Sequence, residues 1–167
     1  YYLIKTIFNK SIGGPNYISF GSVIPAIKDS DNSYCEILLP DDSLININKK
    51  NLVQYNSHIS VNELNKYFND LIGIPYLWGG KSYAGFDCSG LIQTLYALIG
   101  IQIPRDTGMQ IKFNGLTLLN HSDNFKIGDL IFFKKNDIVN HVGMYVDTEV
   151  FIHSSGYVRY SSLVKSN

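Results

Sequence analysis

The sequence predicts an α+β chain in which a small N-terminal β-barrel precedes a domain of helices packed on an antiparallel sheet. Three observations predict it. Short apolar runs broken by turn residues fill positions 18–53. An apolar pattern recurring at intervals of three and four begins after Ser60, and strand-like runs return from Lys126 to Tyr160. A polar stretch rich in Asn and Lys, from Asn46 to Ser57, marks the expected boundary and gives domains over 1–57 and 58–167.

In the first domain, strands are expected over Val23 to Ile27, Tyr34 to Leu39 and Leu44 to Ile47. Pro40-Asp41-Asp42-Ser43 favours a tight turn, so Cys35 to Ile47 should form a hairpin. Beyond the boundary, Val61, Leu64, Tyr67, Phe68 and Leu71 line one helical face. Ser60 with Glu63 has capping-box spacing and Gly73 with Pro75 supplies a stop, which sets a helix over about 61–72. A second helix is expected from Cys88 to Ile99, with Leu91, Ile92, Leu95, Leu98 and Ile99 on its apolar face. A short third helix should follow Thr107, with Gln110 at capping-box spacing. Ile127 to Phe133, Val139 to Val146, Val150 to Ser154 and Tyr157 to Tyr160 then read as successive strands.

The 167 residues, 45% of them hydrophobic, are enough for one ordinary domain or two small ones. Fourteen basic residues balance fourteen acidic ones, so no global field draws the chain to nucleic acid or to an anionic membrane. No apolar run reaches the length of a spanning helix, and no basic stretch with an apolar core opens the chain. A removed export signal would leave the same sequence, so cytoplasmic and exported locations both stay open. The chain is expected to act as a monomer. Cys35 and Cys88 are too few for a disulfide framework and read as free thiols.

Cysteine is a nucleophile as thiolate, which the unpaired N–H groups and dipole at a helix N-terminus favour. Cys88 falls in such a first turn, where backbone N–H groups also suit an oxyanion; a structural cysteine packed at a helix start is the ordinary alternative. A base must take the thiol proton. His58 and His121 lie in polar stretches and read as surface loop residues, whereas His141 and His153 lie in expected strands twelve residues apart, as neighbours across a hairpin do. One suits the base and the other its orienter.

Hairpin register decides whether the two imidazoles meet. A plain two-residue turn at Asp147-Thr148 would pair Val142 with His153 and put the histidines on opposite faces. An odd loop or a bulge near Asp147 to Glu149 shifts the register by one. Val142, Met144, Val150 and Ile152 then share an apolar face, while His141, Tyr145, Phe151 and His153 share the other. The apolar pattern and the chemistry select this second register, with both imidazoles expected on the Cys88 side of the sheet.

The run Pro75-Tyr76-Leu77-Trp78-Gly79-Gly80, then Gly85-Phe86-Asp87-Cys88-Ser89-Gly90-Leu91, resembles the signature of NlpC-type papain-like cysteine peptidases of bacteria. Pro104-Arg105-Asp106-Thr107 with Gln110, Gly128-Asp129-Leu130-Ile131-Phe132-Phe133, His141-Val142-Gly143-Met144-Tyr145 and Ile152-His153-Ser154 are similar to its later motifs, in the same order. The resemblance implies a papain-like fold and acyl transfer from an amide to Cys88. His141 would serve as general base and then acid, and His153 as the polar third member. It implies no cofactor and no metal. The implied substrates and partners are peptidoglycan fragments or muropeptides, cut at the bond between D-glutamate and a diamino acid. It also implies substrate contacts for Tyr76, Asp87 and Ser89, with Asp87 and Ser89 receiving the free amino end of a stem peptide; Asp87 is equally suited to cap the second helix. On the hairpin and Ser19-Phe20-Gly21, the N-terminal segment resembles the bacterial SH3-like barrels that often precede this domain.

Other chemistries fit less well. Cys88, His141 and His153 are acceptable zinc ligand types but lack a local ligand pair, and Gly80-Lys81-Ser82 lacks the glycine a phosphate loop needs at Pro75. An amidase or acyltransferase working on another amide or a lipid, or a wall-binding protein without turnover, shares the fold.

Overall fold

The computed structural model describes residues 2–4, 18–28, 33–54, 59–120 and 124–164; His58 and His121 lie outside them. The chain divides into two compact units, Tyr1–Ile59 with Leu98–Gly100 and Ser60–Ala97 with Ile101–Asn167.

The first unit holds β1 (Tyr2–Ile4), β2 (Val23–Ile24), β3 (Ala26–Lys28), β4 (Tyr34–Leu38), β5 (Leu44–Asn48) and β6 (Leu52–Gln54). They form two antiparallel three-stranded sheets, ordered β2-β1-β6 and β3-β4-β5. The strand expected over Val23 to Ile27 is interrupted at Pro25, which has no N–H for a ladder. The expected hairpin pairs Cys35 with Ile47 and Ile37 with Ile45, and all four side chains are buried together. Asp41 organises its turn by accepting the Ser43 N–H at 3.1 Å and the Ser43 hydroxyl at 2.6 Å. Of the polar stretch from Asn46 to Ser57, the described part, Asn46 to Gln54, is ordered into regular elements. It completes β5, makes a 3-10 turn over Lys49–Asn51 and supplies β6. The Asn-rich composition hid a period of two, in which Ile45 and Ile47 point inward between polar neighbours.

The second unit opens with a 3-10 turn, Val61–Leu64, that leads into α1 (Asn65–Leu71). The expected single helix is thus two pieces. Its start is as read: Glu63 accepts the Ser60 N–H at 3.0 Å. A short hairpin, β7 (Lys81–Ser82) with β8 (Gly85–Phe86), precedes α2 (Cys88–Leu98), and α3 (Thr107–Gln110) follows it. Leu91, Ile92, Leu95 and Leu98 of α2 are fully buried. The Tyr96 hydroxyl donates to the Gly128 carbonyl at 2.8 Å.

Four strands complete this unit: β9 (Leu130–Lys135), β10 (Ile138–Asp147), β11 (Val150–Ser155) and β12 (Tyr157–Ser162). They form one antiparallel sheet in the order β12-β11-β10-β9. The β10–β11 hairpin turns at Thr148-Glu149, with φ of 44° and 63°. Tyr145 pairs with Phe151 and Asp147 with Val150, which leaves Val146 as a bulge. The turn is therefore a two-residue one with a bulge, set one residue before the segment where the irregularity was expected. Val142, Met144 and Ile152 are buried on one face, and the two histidines share the other.

Candidate active site

Cys88 is the first residue of α2 and is buried there. Asp87 caps the helix: its Oδ1 accepts the Gly90 N–H at 2.6 Å, the N–H three residues on that a cap reaches. Its Oδ2 accepts the Gly79 N–H at 2.8 Å, so one carboxylate ties the preceding turn to the helix start. This needs glycine on both sides. A Cβ on Gly90 would collide with the Gly80 carbonyl, and one on Gly80 with the Gly85 carbonyl.

Arg105 grips the same carboxylate with both terminal nitrogens, Nη1 to Oδ1 at 2.9 Å and Nη2 to Oδ2 at 2.5 Å. Nη1 also donates to the Ser89 hydroxyl at 2.9 Å. Burial pushes the Asp87 carboxyl up, but Arg105 and the Gly90 and Gly79 N–H groups outweigh it and hold the group below the ordinary carboxylate range. Gln110 donates to the carbonyls of Ser89, at 3.1 Å, and Pro104, at 2.9 Å, fastening α3 to the start of α2. On the same side, Thr107 Oγ1 stands 3.7 Å from Cys88 Sγ. Tyr76 belongs to this neighbourhood too: burial, then Cys88 and Asp87, raise its phenol above the ordinary value.

The second cluster lies on the sheet. His141 Nε2 and His153 Nδ1 are 2.7 Å apart, and His153 Nε2 is 2.9 Å from Ser161 Oγ. Phe133 packs against His141 with ring centroids 5.6 Å apart, and Phe151 against His153 at 4.8 Å. Burial, reinforced by Arg159, lowers His141 below its ordinary value. His153 is pushed down to about 4 by burial, then by His141 and Arg159. Burial therefore favours the neutral form of both rings at pH 7.

Among the ties between the segments around Cys88 and the sheet bearing the histidines, three stand out. The Ser154 hydroxyl donates to the Phe86 carbonyl at 2.7 Å, and the Tyr76 N–H donates to the Gly156 carbonyl at 2.9 Å. The third is α3, which carries Thr107 and packs against β10. The structure thus gathers Tyr76, Asp87, Cys88 and Ser89 in one cluster and His141 with His153 in another, within one compact unit. Among the described residues no three His, Cys, Asp or Glu side chains come together as metal ligands would. Sequence reading gave no individual role to Arg105 or Ser161, and it read Thr107 as the residue before α3, whereas Asp106 holds the cap position and Thr107 is the first helical residue. Ser161 was recoverable only from register, since it lies opposite Phe151, on the strand face that meets His153.

Acid should loosen this unit. A histidine whose folded pKa is depressed contributes stability that is present above its unfolded value, 6.5, and lost as pH falls toward the folded value. For His153 that window runs from 6.5 to about 4 and is worth up to about 3 kcal/mol, with His141 acting in the same direction. Urea midpoints measured across this range should fall with acidity, and more steeply than in His153→Asn. Equal slopes would contradict the burial argument.

The sequence matches the NlpC/P60 family over residues 73–167. A γ-D-glutamyl-L-lysine dipeptidyl-peptidase of Bacillus cereus is 32% identical over 158 residues, covering 90% of this chain and 46% of the relative. The murein DD-endopeptidase MepH of Escherichia coli is 38% identical over 106 residues, covering 61% of this chain and 37% of the relative. The crystal structure of an NlpC/P60 family protein from Bacillus cereus superposes with a TM-score of 0.83 at 26% identity, covering 98% of this chain and 58% of that one. The chain thus spans about half the length of these relatives. With the family's match covering more than half of its residues, the chain belongs to the NlpC/P60 family.

Proposed function

We propose that this chain is a cysteine peptidase that hydrolyses peptidoglycan stem peptides at the γ-D-glutamyl–diamino acid bond, with Cys88 as nucleophile, His141 as base and His153 as orienter. The observation that carries the proposal is the 2.7 Å contact between two buried imidazoles in the same compact unit as a cysteine opening a helix. The names of the relatives, a γ-D-glutamyl-L-lysine dipeptidyl-peptidase and a murein endopeptidase, support the substrate class.

The hydrogen-bond chain fixes the tautomers once His141 is the base. Its Nδ1 must be free to accept the thiol proton, so its Nε2 carries the hydrogen and donates to His153 Nδ1. His153 then carries its own hydrogen on Nε2 and donates to Ser161. The thiolate attacks the amide carbon. The C–N bond breaks as the imidazolium returns its proton to the leaving amine, and a thioester remains on Cys88. Water attacks that thioester with His141 again taking the proton, which releases the acid and the thiol. The first backbone N–H groups of α2, with Tyr76, are suited to the oxyanion.

Asp87 and Ser89 are proposed to face the free amino end of the stem. Asp87 already shares its charge with Arg105, so an ammonium group would gain less there than from a lone carboxylate. Acetylating that amino end should slow cleavage by about tenfold or more. Equal cleavage of free and acetylated muropeptides, followed by mass spectrometry, would leave Asp87 with its cap and its Arg105 pair only. The same assay tests the bond: products ending in D-glutamate are expected, and cleavage elsewhere in the stem would contradict the reading. The N-terminal unit is read as an SH3-like barrel. Its two small antiparallel sheets and the 3-10 turn before its last strand support this.

A further inference from the structure

We infer that Thr107 is a further catalytic residue, whose hydroxyl donates a hydrogen bond to the Cys88 sulfur and favours its thiolate form. The inference rests on Cys88 being the nucleophile and adds a group that this reading does not require.

Thr107 Oγ1 is 3.7 Å from Cys88 Sγ, and both residues are buried. In the neutral pair either atom can donate. Once the thiol has lost its proton, the only hydrogen left between the two atoms belongs to the hydroxyl, which then must be the donor. The hydroxyl is also held for this task. Thr107 opens α3, so no preceding helical turn offers it a carbonyl, and the Ile103 carbonyl four residues back is taken by the Gln93 side chain at 2.8 Å. Branching at Cβ restricts the side chain to few rotamers. The backbone beneath it is fixed by Gln110, which bonds the carbonyl of Ser89, the residue after Cys88. The hydroxyl is therefore aimed at the sulfur by packing rather than by a mobile loop.

Other groups act on the same sulfur. Tyr76, Asp87 and Arg105 interact with Cys88 or with one another, Lys81 lies beside Arg105 and Asp87, and α3 packs on the strand that bears His141. The test must isolate the hydroxyl from all of them. Thr107→Val keeps the shape and removes the hydroxyl; Thr107→Ala removes hydroxyl and bulk; Thr107→Ser keeps the hydroxyl and removes the methyl group.

Iodoacetamide alkylation of Cys88, followed by mass spectrometry without substrate, reads the thiolate directly. At pH 7 Val and Ala should each slow it by about tenfold, and Ser should stay within about threefold of the native rate. In strong alkali, where the thiol ionises in any variant, the four proteins should converge. A native rate in either Val or Ala would overturn the inference, as would a Ser variant as slow as Val, since packing alone would then explain the effect. These outcomes are separate from the nucleophile itself. If Cys88→Ala retains turnover the proposed mechanism fails, whatever Thr107 does to alkylation.

Discussion

Replacing Cys88 by alanine should abolish turnover, lowering kcat by at least about 10⁴-fold, because the thiol that forms the acyl intermediate in the proposed mechanism is then gone. Cys35 is the internal control. It lies fully buried in the core of the N-terminal unit, opposite Ile47 across the β4–β5 hairpin. Cys35→Ala should leave kcat within about twofold and cost on the order of 1 kcal/mol of stability from the lost side-chain volume. The two thiols should also differ in chemistry. Iodoacetamide at neutral pH should label Cys88, at its helix start, before Cys35. Full activity in Cys88→Ala, with equal labelling of the two thiols, would remove the mechanism.

Arg105→Met should produce the next largest effect, and it should appear in both stability and turnover. The variant leaves the Asp87 carboxylate with the Gly79 and Gly90 N–H groups but without its cation, one residue from Cys88. Breaking a fully buried pair typically costs about 3–5 kcal/mol. Here the Arg105 side chain is 29% exposed and that of Asp87 10%, so a loss of about 2 kcal/mol is expected. An uncompensated carboxylate next to the nucleophile also opposes thiolate formation, which should slow turnover at pH 7 by about tenfold or more. The sign with pH follows from the lowered Asp87 pKa. Its contribution is present above the unfolded value and is lost as pH falls through the folded one, so the stability gap should hold above about pH 5 and close in stronger acid. Arg105→Met/Asp87→Asn should recover part of the turnover, because it removes the orphaned charge. If the double variant is no faster than Arg105→Met, the network acts by shape rather than by charge.

Much of this was legible in the sequence, for identifiable reasons. The β10–β11 register followed from requiring one apolar face. Met144 and Ile152 could be buried together only if an extra residue entered the hairpin, and Val146 is that residue. The start of α2 was legible because Asp87 precedes an apolar helical pattern. What sequence reading missed depends on contacts between distant segments. Nothing local to Arg105 announces that it reaches Asp87, 18 residues away, and nothing local to Thr107 announces Cys88. The Asn46 to Gln54 part of the polar stretch misled for a different reason: Asn46, Asn48 and Gln54 lie on real strands, and buried Leu52 and Val53 in β6 outweigh the composition. The helix expected over 61–72 splits because its first turn, Val61–Leu64, tightens to a 3-10 form, a variation that a period of three or four does not distinguish.

An acid-quenched reaction reads directly whether Cys88 carries the acyl group. The protein is mixed with a defined muropeptide, quenched within a single turnover and analysed by intact mass and then by peptide mapping. A mass increase equal to the acyl half of the substrate is expected, located on the peptide containing Cys88 and released by neutral hydroxylamine as a thioester would be. Rapid turnover with no adduct at any quench time, or an adduct on another residue, would contradict it.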